Sequence, residues 1–151
     1  MVLTKPEIAL KAIAAAERRN VPPGLVCAII EISSGWDASL NEWHPAAWLL
    51  NQHPVDWGME RWNALGTRWG PMQILGQDAH AAGYKTVEKL ADLDESLDVG
   101  CMLLKGLLGP DVKRTMILWF GAERKGLADK VLAVLPQFEQ FIKERPCESY
   151  T

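Results

Sequence analysis

No stretch of this 151-residue chain approaches the roughly 20 consecutive apolar residues that a membrane span requires. Long basic runs are also missing, so there is little to hold a phosphate backbone. Lys and Arg number 16 against 19 Asp and Glu, a formal charge of −3, and a nucleic-acid partner is therefore disfavoured. Cysteine is scarce. Cys27, Cys101 and Cys147 are odd in number, widely spaced and without a CxxC pair, which excludes a disulfide framework and a thiolate zinc site and leaves free thiols. His44, His53 and His80 have no ligand spacing, no GxSxG is present, and neither a metal nor another cofactor is implied. Residues Met1 to Glu7 enter an amphipathic pattern directly, without the basic, apolar and small-residue regions of a secretory signal. Either the chain is not exported by that route or its signal is not in this sequence.

What is present is a core. Hydrophobic residues make up 48% and charged residues 23% of the chain, a composition that folds without staples and is far from disorder. One compact domain over residues 1–151 is expected. Seven tryptophans are present, and six of them (Trp36, Trp43, Trp48, Trp57, Trp62 and Trp69) fall between positions 36 and 69. They suit either a satellite core or a platform for flat ligand faces such as sugar rings.

Thr4-Lys5-Pro6-Glu7 is a capping box that opens a helix to Arg18 or Arg19. Pro22-Pro23-Gly24 restarts the chain, and Leu25, Ala28, Ile29 and Ile32 predict a second helix that stops at Gly35. Short helices are expected over His44–Gln52 and Val55–Leu65, then an extended segment or turn at Gly70–Gly76 and a helix across Gln77–Ala82. A further helical turn is expected at Val87–Leu93. Leu97, Cys101, Leu104 and Leu108 form an apolar stripe that ends at Gly109-Pro110. Val112–Phe120 is helical, and Leu127–Leu135 and Pro136–Lys143 are expected as two separate helices. No run alternates with period two, so the class is all-α. The tail after Pro146 is expected to fray.

Three segments carry the chemistry. The second helix ends in Ile32-Ser33-Ser34-Gly35-Trp36-Asp37; Gly70-Pro71-Met72-Gln73-Ile74 follows; and Leu118-Trp119-Phe120-Gly121-Ala122 precedes a helix beginning near Gly126. A fourth, Leu93 to Leu104, lies between the last two. In this order they resemble the soluble lytic transglycosylase family, lysozyme-like helical domains related to goose-type lysozyme. The family's motifs are Glu-Ser-x-Phe/Trp, Gly-Leu-Met-Gln-Ile/Val and Ala-Tyr-Asn. The resemblance spans about residues 21–141 and implies a lysozyme-like fold with a substrate cleft.

It also implies a function: cleavage of the β-1,4 bond between N-acetylmuramic acid and N-acetylglucosamine in peptidoglycan, with formation of a 1,6-anhydro end. The partner is the glycan strand and the place of action is the cell wall, in the periplasm. A phage or prophage endolysin, released from the host cytoplasm by another route, fits a small domain without a signal. Hydrolysis on the same fold is the close alternative. The sequence fixes neither oligomeric state nor host.

The departures are at the reacting centre. Ser33 occupies the position of the family's catalytic glutamate, Pro71 replaces leucine, and Phe120-Gly121 stand where Tyr-Asn is usual. Glycoside cleavage needs a proton on the leaving oxygen, which a serine cannot supply near pH 7. Two explanations compete: an enzyme whose glutamate has been exchanged so that substrate is held uncut, or a natural relative that binds glycan without cutting. Retention of the surrounding motifs favours the first.

By resemblance, Ser34 would orient the acid, and Met72, Gln73 and Ile74 would line the cleft. Phe120 would stand where the family's tyrosine points at the acid. Each has a plainer reading: helix capping for Ser34, core packing for Met72, cleft wall or core for Phe120. Glu31 is the alternative acid, but it lies two residues away and about 200° round the helix, and a structural partner is expected for it. Trp36 is expected to pack the helix end. Asp37, Glu42, Asp56 and Glu60 are carboxylates that suit a position across the cleft, each more simply read as solvated surface.

Overall fold

The first helix, α1 (Lys5–Arg18), begins at a reciprocal cap in which the Thr4 hydroxyl accepts from the Glu7 N–H and the Glu7 carboxylate accepts from the Thr4 N–H. A computed structural model of the chain describes residues 3–38, 42–43 and 64–144. In α2 (Pro23–Ser34) every residue from Gly24 to Ile30 is buried, and the helix stops where Gly35 turns left-handed at φ 61°. A helix that is apolar around its whole circumference has to be covered on all sides. Here α1 and the C-terminal helix provide the cover.

Three short strands follow: β1 (Glu42–Trp43), β2 (Thr67–Trp69) and β3 (Ile74–Leu75). They form an antiparallel sheet in the order β1-β2-β3, with Glu42 opposite Arg68 and Trp69 opposite Ile74. The chain is mostly helical, as the all-α expectation holds, and this small sheet is an addition to it. Strands of two and three residues are too short to show an alternating pattern, so pattern reading gives only an extended segment at Gly70–Gly76.

After β3 come α3 (Gly76–Ala81), a 3₁₀ turn at Val87–Ala91, and α4 (Leu93–Leu107), whose start is capped by the Asp92 carboxylate accepting from the Glu95 N–H at 3.0 Å. Asp111 caps α5 (Val112–Phe120) in the same way. A second 3₁₀ turn, Ala122–Arg124, leads to α6 (Lys125–Glu144).

The expected break at Pro136 is absent, and one helix runs through it. The reason is tertiary. Ala128, Val131, Val134, Leu135, Phe138 and Ile142 recur at helical spacing on both sides of the proline and pack on one core, while Pro136 itself is exposed. The lost N–H bond is outweighed by burying both halves.

The buried side chains form one hydrophobic cluster running from Ile8 of α1 to Val131 of α6. Among the described residues no helix is long and apolar enough to cross a membrane. The helices expected at His44–Gln52 and Val55–Leu65 lie outside the described residues, except that Ala64 and Leu65 are helical and buried. The tail after Pro146, with Cys147, also lies outside them.

Candidate functional site

The end of α2 sorts three neighbouring polar residues onto different jobs. Glu31 faces α1: its Oε1 accepts from Lys5 Nζ and from Trp36 Nε1, both at 3.3 Å. Lys5 Nζ also stands 5.4 Å from the Trp36 ring centroid, and that ring meets Phe138 of α6 at 5.9 Å. Glu31 therefore fastens the end of α2 to α1 and α6, and Trp36 packs the helix end at 8% exposure. The Ser34 hydroxyl donates to the Ile30 carbonyl at 3.1 Å, a bond within its own helix. That is a back-bond within the last turn rather than the cap expected for Ser34, because Gly35 ends the helix.

Ser33 is different. The residue is half-buried, yet its Oγ is sealed from solvent and has no hydrogen-bond partner among the described residues. Leaving a buried hydroxyl unpaired costs about 1–3 kcal/mol, and an alanine would fill the space without that cost.

The second segment forms the turn between β2 and β3. Gln73 sits at φ 52°, in the left-handed region that a non-glycine residue seldom occupies. Its backbone N–H donates to the Gly70 carbonyl at 3.0 Å and its side-chain Nε2 to the same oxygen at 2.9 Å, so two bonds hold the strained turn. Met72 is 1% exposed and is pressed onto α4, where a Cβ on Gly100 would stand 2.5 Å from its Sδ. Met72 is thus core, and the absent side chain of Gly100 is what lets the turn lie on α4. Segments two and four of the motif set meet at this contact.

At the third segment Phe120 is 5% exposed and ends α5, with the Arg124 guanidinium 5.3 Å from its ring centroid. Gly121 follows at φ 82°, ψ 163°, a conformation essentially limited to glycine. This backbone admits no larger residue at position 121 without strain.

A cavity of about 410 Å³ opens between the turn, α3, α4 and α5. Gln73 and Ile74 contribute to its lining; Met102, Leu103 and Leu107 of α4 and Leu118 and Trp119 of α5 form apolar walls. Among the described residues its charged groups are Arg68 on β2, Asp78 on α3 and Arg124 beyond α5. Asp78 stands exposed at the mouth. The surrounding protein still removes enough water to push its carboxyl above the ordinary aspartate value, an effect that the nearby Arg68 charge partly offsets.

Of the residues singled out in the sequence, Gln73 and Ile74 line this cavity; Ser33, Ser34, Met72, Phe120 and Glu31 do not. Arg68, Asp78 and Arg124 escaped sequence reading because they come from three elements and share no local spacing. Asp37 is exposed just past α2. The side chains of Glu42, Trp43, Trp48, Asp56, Trp57, Glu60 and Trp62, with His44 and His53, lie outside the described residues. Among the described residues no group of three or more His, Cys, Asp or Glu is placed to hold a metal ion. Compared with protein-family models, curated proteins and solved structures, the chain matches none, so the family resemblance stands on its motif residues alone.

Proposed function

We propose that this chain is a peptidoglycan-recognising domain of the lytic transglycosylase kind, lysozyme-like in fold, whose cutting chemistry is silenced at Ser33. In that reading it acts on cell-wall glycan strands. The observation that carries the proposal is the sealed, unpartnered Ser33 Oγ in the last turn of α2. Packing alone does not favour a hydroxyl there, and a site that once held a longer acidic side chain does.

A glutamate at position 33 places its carboxyl carbon one bond, and its carboxyl oxygens two bonds, beyond the point where Oγ stops. Low-water surroundings raise the pKa of such a group and keep it protonated, ready to protonate the leaving oxygen. The same carboxylate then assists attack by the sugar's own 6-hydroxyl on the anomeric carbon, which gives the anhydro end. Serine can do neither, and general-acid catalysis of about 10²–10⁴-fold is lost. Glu31 is no replacement while it holds Lys5 and Trp36.

The test is Ser33→Glu assayed on purified cell walls. The parent chain should clear them negligibly, and the variant should release 1,6-anhydromuramoyl products, one water lighter than hydrolytic ones. Adding Glu31→Gln should leave most of the restored activity. Cleavage by the parent that Glu31→Gln abolishes would overturn the assignment. If Ser33→Glu stays inert while both forms bind glycan, the protein is a non-catalytic glycan binder.

A further inference from the structure

Of the large apolar side chains that stand exposed among the described residues, three share one surface. Leu107 closes α4, Ile117 and Leu118 belong to α5, and their exposures are 38%, 37% and 52%. Leu107 and Leu118 border the same cavity, which brings the end of α4 beside α5. Around α5 the side chains divide cleanly. Thr115, Met116 and Phe120 are buried, whereas Lys113, Arg114, Ile117 and Leu118 are exposed, and at about 100° per residue these four occupy one arc of roughly 140°.

Both ends of that arc go against what a solvated helix prefers. Aliphatic side chains in the second turn gain nothing by facing water. Lys113 and Arg114 stand in the first turn, where the positive end of the helix dipole disfavours cations. Neither forms an ion pair with another described residue. No acid lies within α5, and Asp111 just before it is engaged as the cap, accepting from the backbone N–H groups of Lys113 and Arg114.

We infer that the exposed face of α5, with Leu107 at the end of α4, is a docking surface for an anionic lipid bilayer: Leu107, Ile117 and Leu118 enter the boundary between headgroups and acyl chains, and Lys113 and Arg114 meet the headgroup phosphates. The surface uses neither Ser33 nor Gln73 and is independent of the glycan reading. A helix that lies in a membrane interface has this construction, with cations on its polar border and aliphatic side chains on the other. Charge attraction adds to apolar burial, so neither group has to hold the protein alone. With two cations on this face and −3 on the whole chain, the rest of the surface is acidic and turns away from an anionic bilayer. A second copy fits less well. Antiparallel pairing of two such faces sets Lys113 and Arg114 of one on Leu118 and Ile117 of the other, which buries four cations without an acid, and parallel pairing sets cation on cation.

Sedimentation of the whole chain with sucrose-loaded vesicles would compare phosphatidylcholine alone with an equal mixture of phosphatidylcholine and phosphatidylglycerol. The chain should bind the mixture about tenfold or more tighter than phosphatidylcholine, and added salt should narrow the difference. Lys113→Gln and Arg114→Gln should each weaken binding to the mixture by about fivefold, and Ile117→Gln and Leu118→Gln by about fivefold or more. Leu10→Gln on α1 and Lys89→Gln in the first 3₁₀ turn should change nothing. All six positions are exposed, so each variant should keep the parent circular dichroism spectrum. No binding to the mixture, or binding that the two controls reduce as much as the face variants do, overturns the inference. Binding that falls with Lys113→Gln and Arg114→Gln but ignores Ile117→Gln and Leu118→Gln is plain surface attraction and also overturns it. A dimer in sedimentation velocity that Leu118→Gln dissolves, without vesicle binding, gives the face to a second copy instead.

Discussion

Gly76→Ala tests the packing that seats α3, the helix that brings Asp78 to the cavity. Gly76 opens α3 directly after Ile74 and Leu75, and a Cβ there would stand 2.7 Å from Val87 Cγ1, 3.0 Å from the Ala64 carbonyl carbon and closer still to its oxygen. A backbone carbonyl has no rotamer into which it can escape. That oxygen also accepts from Trp69 Nε1 at 3.0 Å, so moving it strains the anchor of β2. Overpacking costs ~1–3 kcal/mol and a weakened hydrogen bond ~0.5–1.5 kcal/mol, against a helix-propensity gain of at most ~1 kcal/mol for replacing glycine by alanine.

The net is a loss of about 1–3 kcal/mol, or a fall in Tm of ~2–12 °C for a chain of this size. Gly106→Ala is the internal standard, because it brings the same propensity gain with no neighbour within 4 Å and should raise Tm by a few degrees. Thermal unfolding followed by far-ultraviolet circular dichroism reads both. Should Gly76→Ala melt at or above Gly106→Ala, the close approach of α3 to Ala64 is not there.

Two further outcomes follow from charge and thiol burial. Arg19 forks onto Asp98 with bonds of 2.8 and 2.7 Å, which holds the Asp98 carboxyl below the usual aspartate value. A group with a depressed folded pKa gives stability that is present above its unfolded pKa and lost as pH falls through the folded one. With the two side chains 40% and 34% exposed, screening limits the pair to ~0.5–1 kcal/mol. Asp98→Asn should therefore lower Tm at about pH 7, and the gap should close as the pH approaches ~2; a gap unchanged by acid would refute this. Cys101 is fully buried, its thiol is pushed up to about 12 chiefly by burial, and Cys27 is 1% exposed. Thiol titration should find both unreactive in the native protein and three thiols after non-reducing denaturation, and fewer than three would reveal a disulfide.

How much of this was legible depended on the range of the interaction. The cap at Thr4 and the left-handed stop at Gly35 are written within four residues of the helix ends they set, and both were readable. The passage of α6 through Pro136 was not, because the force that keeps it helical comes from α2, about a hundred residues earlier. At the site, the structural partner expected for Glu31 is Lys5 with Trp36, and the core role weighed for Met72 is the one its burial gives. The two arginines and Asp78 of the cavity could not be found in advance. They become neighbours only when a strand, a six-residue helix and a 3₁₀ turn are folded together.

The covering of α2 on all sides has a consequence for synthesis. Its main partner, α6, begins about a hundred residues further along, so at roughly 5–20 residues per second a ribosome leaves that apolar helix without its cover for ~5–20 s. During that time the stretch Leu25–Ile30 is the part of the nascent chain most open to chaperone capture or to self-association. The helix bearing Ser33 is thus made long before it is enclosed, and chains interrupted before Lys125 should accumulate as aggregates.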